Sequence, residues 1–154
     1  MLGYLDPKDN ASAFDAEGYF RTGDLGYLDK KGFLTISGRK KNVIVTKNGK
    51  NIFPEELESL LAACPLVKEC LVYGVMDEIT GDDIVSVKIV PNYDYVADQY
   101  PGGLSETDLL ALLNNEVKKV NKSVVHYKAI KKVFIQPNEF KKTTTHKIKR
   151  YLET

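Results

Sequence analysis

Sulfur chemistry is nearly absent from this sequence of 154 residues, which has two cysteines, Cys64 and Cys70. They make neither a CxxC pair nor half of a zinc pattern, so no disulfide framework is expected and a reducing cytoplasm fits. Both read as small core residues. Histidine is as scarce. His126 and His146 have no partners at metal-ligand spacing, and no metal is assigned to either. No Ser-His-Asp or Cys-His arrangement can be argued, which removes the common nucleophilic hydrolases from consideration. No apolar run approaches the roughly 20 residues that span a bilayer, so no transmembrane segment is expected. A basic start followed by an apolar stretch is also missing, which argues against a secretory signal.

Acid is scarce in one region only. Residues 117–150 hold 11 Lys+Arg against a single acid, Glu139, whereas residues 1–116 hold 11 against 19. The net charge of +1 hides this division. A basic terminal third suits an anionic partner such as a nucleotide, coenzyme A, a nucleic acid or a membrane surface. The plainer reading is a solvated basic face. A nucleic-acid partner is not expected, because 138–150 offers only Phe140 for stacking.

What is present reads as a globular chain of 43% hydrophobic and 28% charged residues, long enough for one domain or one domain with an appended piece. "LGYLDKKGFLTISG", 25–38, predicts a β-hairpin. Leu25, Tyr27, Phe33, Leu34 and Ile36 suit strands, and Asp29-Lys30-Lys31-Gly32 supplies the turn. "GRKKN", 38–42, predicts a joint between two units. "VIV", 43–45, is a short strand, and "KNGKN", 47–51, a polar loop around Gly49.

"PEELESLLAAC" predicts a helix, with Pro54 in its first turn and Glu55 and Glu56 at the positive end of its dipole. Its buried stripe is Leu57, Leu60, Leu61 and Cys64. Residues 67–75 and 83–90 read as strands, the second with Val85, Val87 and Ile89 on one face and Ser86 and Lys88 on the other. The stretch 91–104 reads as a long loop. A second helix starts at Ser105, capped with Asp108 three residues on, and carries the stripe Leu109, Leu112, Leu113, Val117 and Val120. A last strand falls in 130–137 and a short helix from about Lys147. The fold class expected is α+β: an N-terminal β-hairpin, a hinge, then a small mixed β-sheet packed with two helices.

Three stretches carry possible chemistry. "GYFRTGD", 18–24, ends on a carboxylate in a turn, which can accept two hydrogen bonds from neighbouring hydroxyls, although Gly-Asp turns are common without function. Lys47-Asn48-Gly49-Lys50-Asn51 places two cations around a glycine that permits close approach, without the spacing of a phosphate-gripping GxxxxGK loop. "TTTHKIKR", 143–150, offers Lys147 or Lys149 as a cation for developing negative charge.

In their order and spacing these stretches resemble one family. "GYFRTGDLGYLDKKGFLTISGRKKNVIVTKNGKNIFPEELE" is similar to the adenylate-forming acyl-CoA synthetases and ligases, nearest to their long-chain fatty acid branch. "MLGY" looks like an upstream piece of the same family, and "TTTHKIKR" sits where the family carries its C-terminal lysine. The resemblance implies a two-step reaction. A carboxylate attacks the α-phosphate of Mg-ATP to give an acyl-adenylate, and the thiol of coenzyme A then displaces AMP. It implies that Asp24 holds the ribose hydroxyls, that Arg39 lies near the nucleotide and that Lys41 is a hinge. Lys47, Gly49 and Lys50 would line the thiol tunnel, and Lys147 would bridge carboxylate and phosphate. The motif favours Lys147 over Lys149, and the remaining terminal cations are expected to be mostly solvated.

Two departures stand out. His146 replaces the glycine that the family most often has before its lysine, and Lys41 stands where aspartate is frequent. The phosphate loop, adenine site and acyl pocket of the family's large N-terminal domain are absent. The chain therefore reads as a fragment: 1–40 as the end of the large adenylation domain and 41–154 as the mobile C-terminal lid, with Met1 an internal residue of a longer parent. Its partners would be that missing domain, a small carboxylic acid and coenzyme A. ATP or AMP, Mg2+ and coenzyme A would serve the full-length enzyme, with none held tightly by the fragment. The setting would be the cytoplasm or the periphery of a membrane. Other readings are an aryl-acid ligase, a peptide-synthetase adenylation domain, or a free-standing nucleotide- or coenzyme-binding module.

Overall fold

The computed structural model describes residues 2–78, 81 and 83–153. Met1 and Thr154, the outer limits of the two expected domains, lie outside the described residues. The chain divides into two compact units, Met1–Lys41 and Asn42–Thr154.

The first unit begins with a short helix, α1 (Pro7–Ala13), which the sequence reading did not include. Asp6 caps it by accepting the Lys8 N–H, and Pro7 opens its first turn. Asn10 accepts the Tyr4 N–H at 2.7 Å and donates to the Tyr4 carbonyl at 3.1 Å, which pins the preceding segment. The predicted hairpin follows as β1 (Asp24–Leu28) and β2 (Leu34–Arg39), antiparallel, with Asp24 opposite Arg39 and Leu28 opposite Leu34. Asp29 makes its turn, accepting the Lys31 and Phe33 N–H groups at 2.8 and 2.9 Å. A bulge falls between Leu25 and Gly26. Glycine is required there, since a Cβ on Gly26 would come within 2.5 Å of the Thr35 carbonyl oxygen.

The second unit opens with a two-stranded ribbon, β3 (Ile44–Val45) and β4 (Asn51–Ile52), and helix α2 (Pro54–Ala62). Its main sheet has the order β5-β6-β7. Strands β5 (Val67–Met76) and β6 (Asp83–Pro91) are antiparallel, and β7 (Lys132–Ile135) runs parallel to β6. The parallel return needs a crossover, supplied by α3 (Tyr93–Gln99) and α4 (Glu106–Ser123). Ser105 caps α4 through the Asp108 N–H, as its sequence predicts. Asn121 then locks the entry to β7, accepting the Ile130 N–H at 2.8 Å and donating to the Ile130 carbonyl at 2.9 Å.

The sheet is covered on both faces. Cys70, Val72, Val85, Val87 and Ile89 pack against Leu57 and Leu61 of α2, Leu109, Leu113 and Val117 of α4, and Ile44 and Ile52 of the ribbon. On the opposite face Leu71 and Val90 pack with Phe140 and Ile148 of the C-terminal segment. This second layer explains one difference from the sequence reading. Ser86, expected on a polar face, is fully buried. Lys88, on the same face, is half-buried with its ammonium donating to the Glu153 carbonyl and lying 5.4 Å from the Tyr73 ring centroid.

Other differences are local. The stretch 91–104 is not a continuous loop, because Asn92 caps α3 and Val96 buries its side chain. Leu60 does not belong to the buried stripe of α2: it is 39% exposed, against 0% for Leu57 and Leu61. The last element is a single 3-10 turn, Arg150–Leu152, rather than a helix from Lys147. Both cysteines are free, with Cys70 buried and Cys64 half-buried, and burial pushes the Cys70 thiol up to about 12.

The contrast within α2 is measurable. Leu61→Ala should cost about 2–5 kcal/mol, while Leu60→Ala should stay within about 0.5 kcal/mol. Urea unfolding of the two variants, read as midpoint shifts at constant slope, distinguishes them.

Candidate functional site

Each unit carries its own group of candidate residues. In the first, the backbone turns sharply at Gly23 (φ 74°) and enters β1 at Asp24. The Asp24 N–H donates to Thr22 Oγ1 at 3.0 Å, and the Gly23 carbonyl accepts the Lys40 N–H at 2.9 Å. Strand register sets Arg39 opposite Asp24, and Arg39 Nε lies 2.9 Å from Asp24 Oδ1. Its Nη1 donates to the Thr22 carbonyl at 2.7 Å. The structure thus joins two residues that the sequence treated separately. The pair is partly exposed and contributes little stability, about 0–1 kcal/mol. Its effect is orientation, presenting a carboxylate and a guanidinium side by side.

Lys41 is exposed within a 3-10 turn, Lys40–Asn42, and the division between the two compact units follows it. Asn42 is tied down: its Nδ2 donates to Glu55 Oε1 at 2.5 Å, which attaches the end of this turn to the first turn of α2.

The glycine loop joins β3 to β4. The Thr46 N–H donates to the Lys50 carbonyl at 3.0 Å and the Gly49 N–H to the Thr46 carbonyl at 2.8 Å. Gly49 has φ 69°, a left-handed conformation natural to glycine. A Cβ there would meet nothing within 4 Å, so backbone geometry rather than crowding selects the residue. Lys47 and Lys50 are exposed on either side, and Lys50 Nζ lies 5.9 Å from the Tyr127 ring centroid.

Lys147 closes a tight turn, residues 143–147, in a strap laid over the outer face of the sheet. The Thr143 N–H donates to the Lys147 carbonyl at 2.8 Å, the His146 N–H to the Thr143 carbonyl at 3.0 Å, and the Lys147 N–H to Thr143 Oγ1 at 3.2 Å. Lys142 and Ile148 pair across the base of this loop. Phe140 before it and Ile148 after it are the apolar pegs against Leu71 and Val90. The Lys147 side chain is exposed. His146 has φ 59°, alone among the described non-glycine residues in being positive. That conformation costs an ordinary residue roughly 1–2 kcal/mol, although histidine tolerates it better than most. The backbone at this position is therefore shaped for glycine.

The sequence reading missed what anchors the strap. Lys142 pairs with Glu69 of β5 and, at 3.0 Å, with Glu139, which also holds Lys68 at 2.7 Å. The Phe140 N–H donates to Glu69 Oε2 at 3.2 Å. On the far leg Arg150 Nη2 reaches Glu58 Oε2 at 2.5 Å and Nη1 donates to the Val72 carbonyl at 3.0 Å. The terminal cations expected to be solvated thus include two partly buried anchors, Lys142 and Arg150. Lys149 is half-buried, while Lys147 stands out in solvent. Burial pushes the Glu58 carboxyl up, opposed by Arg150 and the Val72 N–H. The two lysines beside Glu139 draw its carboxyl down to about 2.

A hydrogen-bonded turn with an exposed ammonium can carry positive charge to an anionic group that the strap itself does not hold. Comparison with known proteins bears on what that group is. Residues 56–147 match the model of the AMP-binding enzyme C-terminal domain. A long-chain-fatty-acid–CoA ligase of Mycobacterium tuberculosis is 35% identical over 96% of this chain and 26% of its own length. A 2-succinylbenzoate–CoA ligase of Staphylococcus epidermidis is 30% identical over 97% of the chain and 28% of its own length. Among solved structures, o-succinylbenzoate coenzyme A synthetase from Bacillus subtilis, in complex with its acyl-adenylate intermediate, superposes with a TM-score of 0.71 at 27% identity, over 96% of this chain and 26% of that one. The chain spans about a quarter of the length of these relatives.

Two outcomes test this geometry. His146→Gly should fold with equal or greater stability, whereas His146→Val should lose about 1–3 kcal/mol, read by thermal unfolding. The folded-state pKa of Glu139 lies below its ordinary value of 4.5, so its pairing stabilises the fold fully above that pH and is lost as pH falls through about 2. Glu139→Gln should therefore flatten the stability–pH curve within that window and leave its shape above the window unchanged.

Proposed function

The chain belongs to the AMP-binding enzyme C-terminal domain family, and on that basis we propose that it is the C-terminal part of an AMP-forming acid–thiol ligase. The reaction is the activation of a carboxylic acid by ATP to an acyl-adenylate with release of pyrophosphate, followed by acyl transfer to coenzyme A with release of AMP. The observation that carries this reading is the strap: an exposed Lys147 on a pinned loop, within a chain that spans about a quarter of its relatives. Such a lysine acts on a pocket supplied by another lobe, here the large N-terminal domain of the same enzyme. An ammonium that enters a dry pocket stabilises charge growing on the α-phosphoryl and carboxylate oxygens, because low dielectric strengthens its field.

The other residues take roles that suit their chemistry. Asp24 accepts hydrogen bonds from a ribose diol, and Arg39, held beside it, faces the nucleotide. Residues 1–40 then belong to the large domain and 41–154 to the lid, with Lys41 as the joint. The ribbon loop with Lys47, Gly49 and Lys50 lines the path of the coenzyme A thiol when the lid has turned. The strap and the ribbon are rooted on opposite faces of one sheet, so a rotation about the joint can exchange one for the other. Mg2+ would enter with the ATP phosphates in the full-length enzyme; among the described residues no three His, Cys, Asp or Glu side chains converge. A long-chain fatty acid is the substrate favoured by the Mycobacterium tuberculosis relative. A panel of fatty, aryl and dicarboxylic acids tests that choice separately from the reaction.

The reaction itself is tested in the full-length enzyme that carries this chain. Lys147→Ala should lower acid-dependent exchange of pyrophosphate into ATP by about 10²-fold or more. It should spare thioester formation from supplied acyl-adenylate. Equal loss in both half-reactions would contradict the assignment, and absence of acid-dependent exchange in the unaltered enzyme would remove it.

A further inference from the structure

Helix α2 holds its acids in two directions. Glu56 pairs with Lys128 at 2.6 Å. Glu55 and Glu58, one turn apart, converge instead on Arg150. β5 is an edge strand, so the outward N–H and carbonyl of Val72 have no neighbouring strand to pair with. Glu58 Oε1 accepts that N–H at 2.7 Å, and Arg150 Nη1 donates to that carbonyl at 3.0 Å. The two side chains then close on each other at 2.5 Å. Arg150 Nη2 also lies 4.0 Å from Glu55 Oε1, the oxygen that accepts from Asn42. The other Glu55 oxygen, Oε2, is buried without a hydrogen-bond partner.

Arg150 follows Lys147 by three residues, on the leg of the strap that leads away from the turn. We propose that Arg150 is a positioning residue for Lys147. The Glu58 and Glu55 carboxylates hold its guanidinium so that the strap and Asn42, the residue after the joint, are registered on a single helix. The proposal rests on the reading of Lys147 as the adenylation cation. A planar fork is required, because one group must serve a carboxylate and a carbonyl in fixed directions, which a lysine ammonium does poorly. Losing Arg150 would leave Glu58 half-buried and unpaired. Burial already raises its carboxyl, and taking up a proton offers it a way to stay folded. The strap leg would then lose its anchor while the apolar pegs Phe140 and Ile148 remain.

The test uses the full-length enzyme with Arg150→Ala and Arg150→Lys. Arg150→Ala should lower kcat for adenylation by about ten- to a hundredfold, the scale of a small misplacement of a reacting group. KM for ATP and for the acid should stay within about twofold, and thioester formation from supplied acyl-adenylate should be unchanged. Arg150→Lys should show the same split at smaller size, and it serves if the alanine variant does not fold. Amide exchange at Thr143 and Lys147 should quicken in both Arg150 variants while that of α4 does not. Wild-type half-reaction rates in Arg150→Ala, equal loss in both half-reactions, or unchanged exchange at Thr143 and Lys147 would each overturn the proposal. If the unaltered enzyme shows no acid-dependent pyrophosphate exchange, the functional reading fails, and the amide measurements alone decide whether Arg150 fixes the loop.

Discussion

At Val72 the sheet has an open side, and a salt bridge closes it. The two backbone groups that β5 would offer to solvent are taken by Glu58 and Arg150, which also bind each other. One contact therefore connects α2, the edge of the sheet and the C-terminal strap. Partly buried pairs of this kind are poor sources of net stability, because removing charge from water consumes much of their attraction. What they supply is a single arrangement. A strap held only by Phe140 and Ile148 could slide along the sheet, since apolar contacts have no preferred direction. A guanidinium fork donating to a carboxylate and to a carbonyl cannot slide without breaking both directed bonds.

The distribution of charge follows from the same division. The basic terminal third is not one solvated face. Lys142 and Arg150 are spent inward on Glu69, Glu139 and Glu58, and they hold the two legs of the strap. Lys147, where the turn closes, remains exposed. The backbone strain at His146 belongs to this design. A left-handed residue helps to reverse the chain within five residues, and the lysine follows it directly as the turn closes. The sheet beneath acts as a plate with different equipment on each side, helices and ribbon on one and strap on the other.

Much of the fold was legible because it obeys local periodicity. The β1–β2 hairpin, α2, α4 and the mixed sheet all follow from alternation, a cap or a turn acid. Where reading failed, the cause was physical. In 91–104 two prolines and two glycines dominate the composition, yet seven residues between them form α3 around one buried side chain, Val96. Leu60 sits at helical spacing in α2, but the arc actually covered is narrower than the apolar stripe. Ser86 appeared polar-facing because nothing local announces a second layer. The anchors of the strap were the least visible. Glu58 and Arg150 are 92 positions apart, and Glu69 and Lys142 are 73. The motif at 143–150 marked a lysine by resemblance alone, and the means of holding it had no signal in its own neighbourhood.

The first unit ends in a ribbon of two strands, and among the described residues no further strand lies beside its outer margins. Tyr27, Leu28, Phe33, Leu34 and Ile36 lie exposed along it. Two strands alone are marginal in water, and greasy uncapped margins recruit whatever backbone drifts past. Expressed without a covering surface, this segment would be sticky, and its tidy register would depend on company. Adding a charged residue at Tyr27 or Ile36 would improve handling of the free chain while spoiling any face that a larger body uses to grip it.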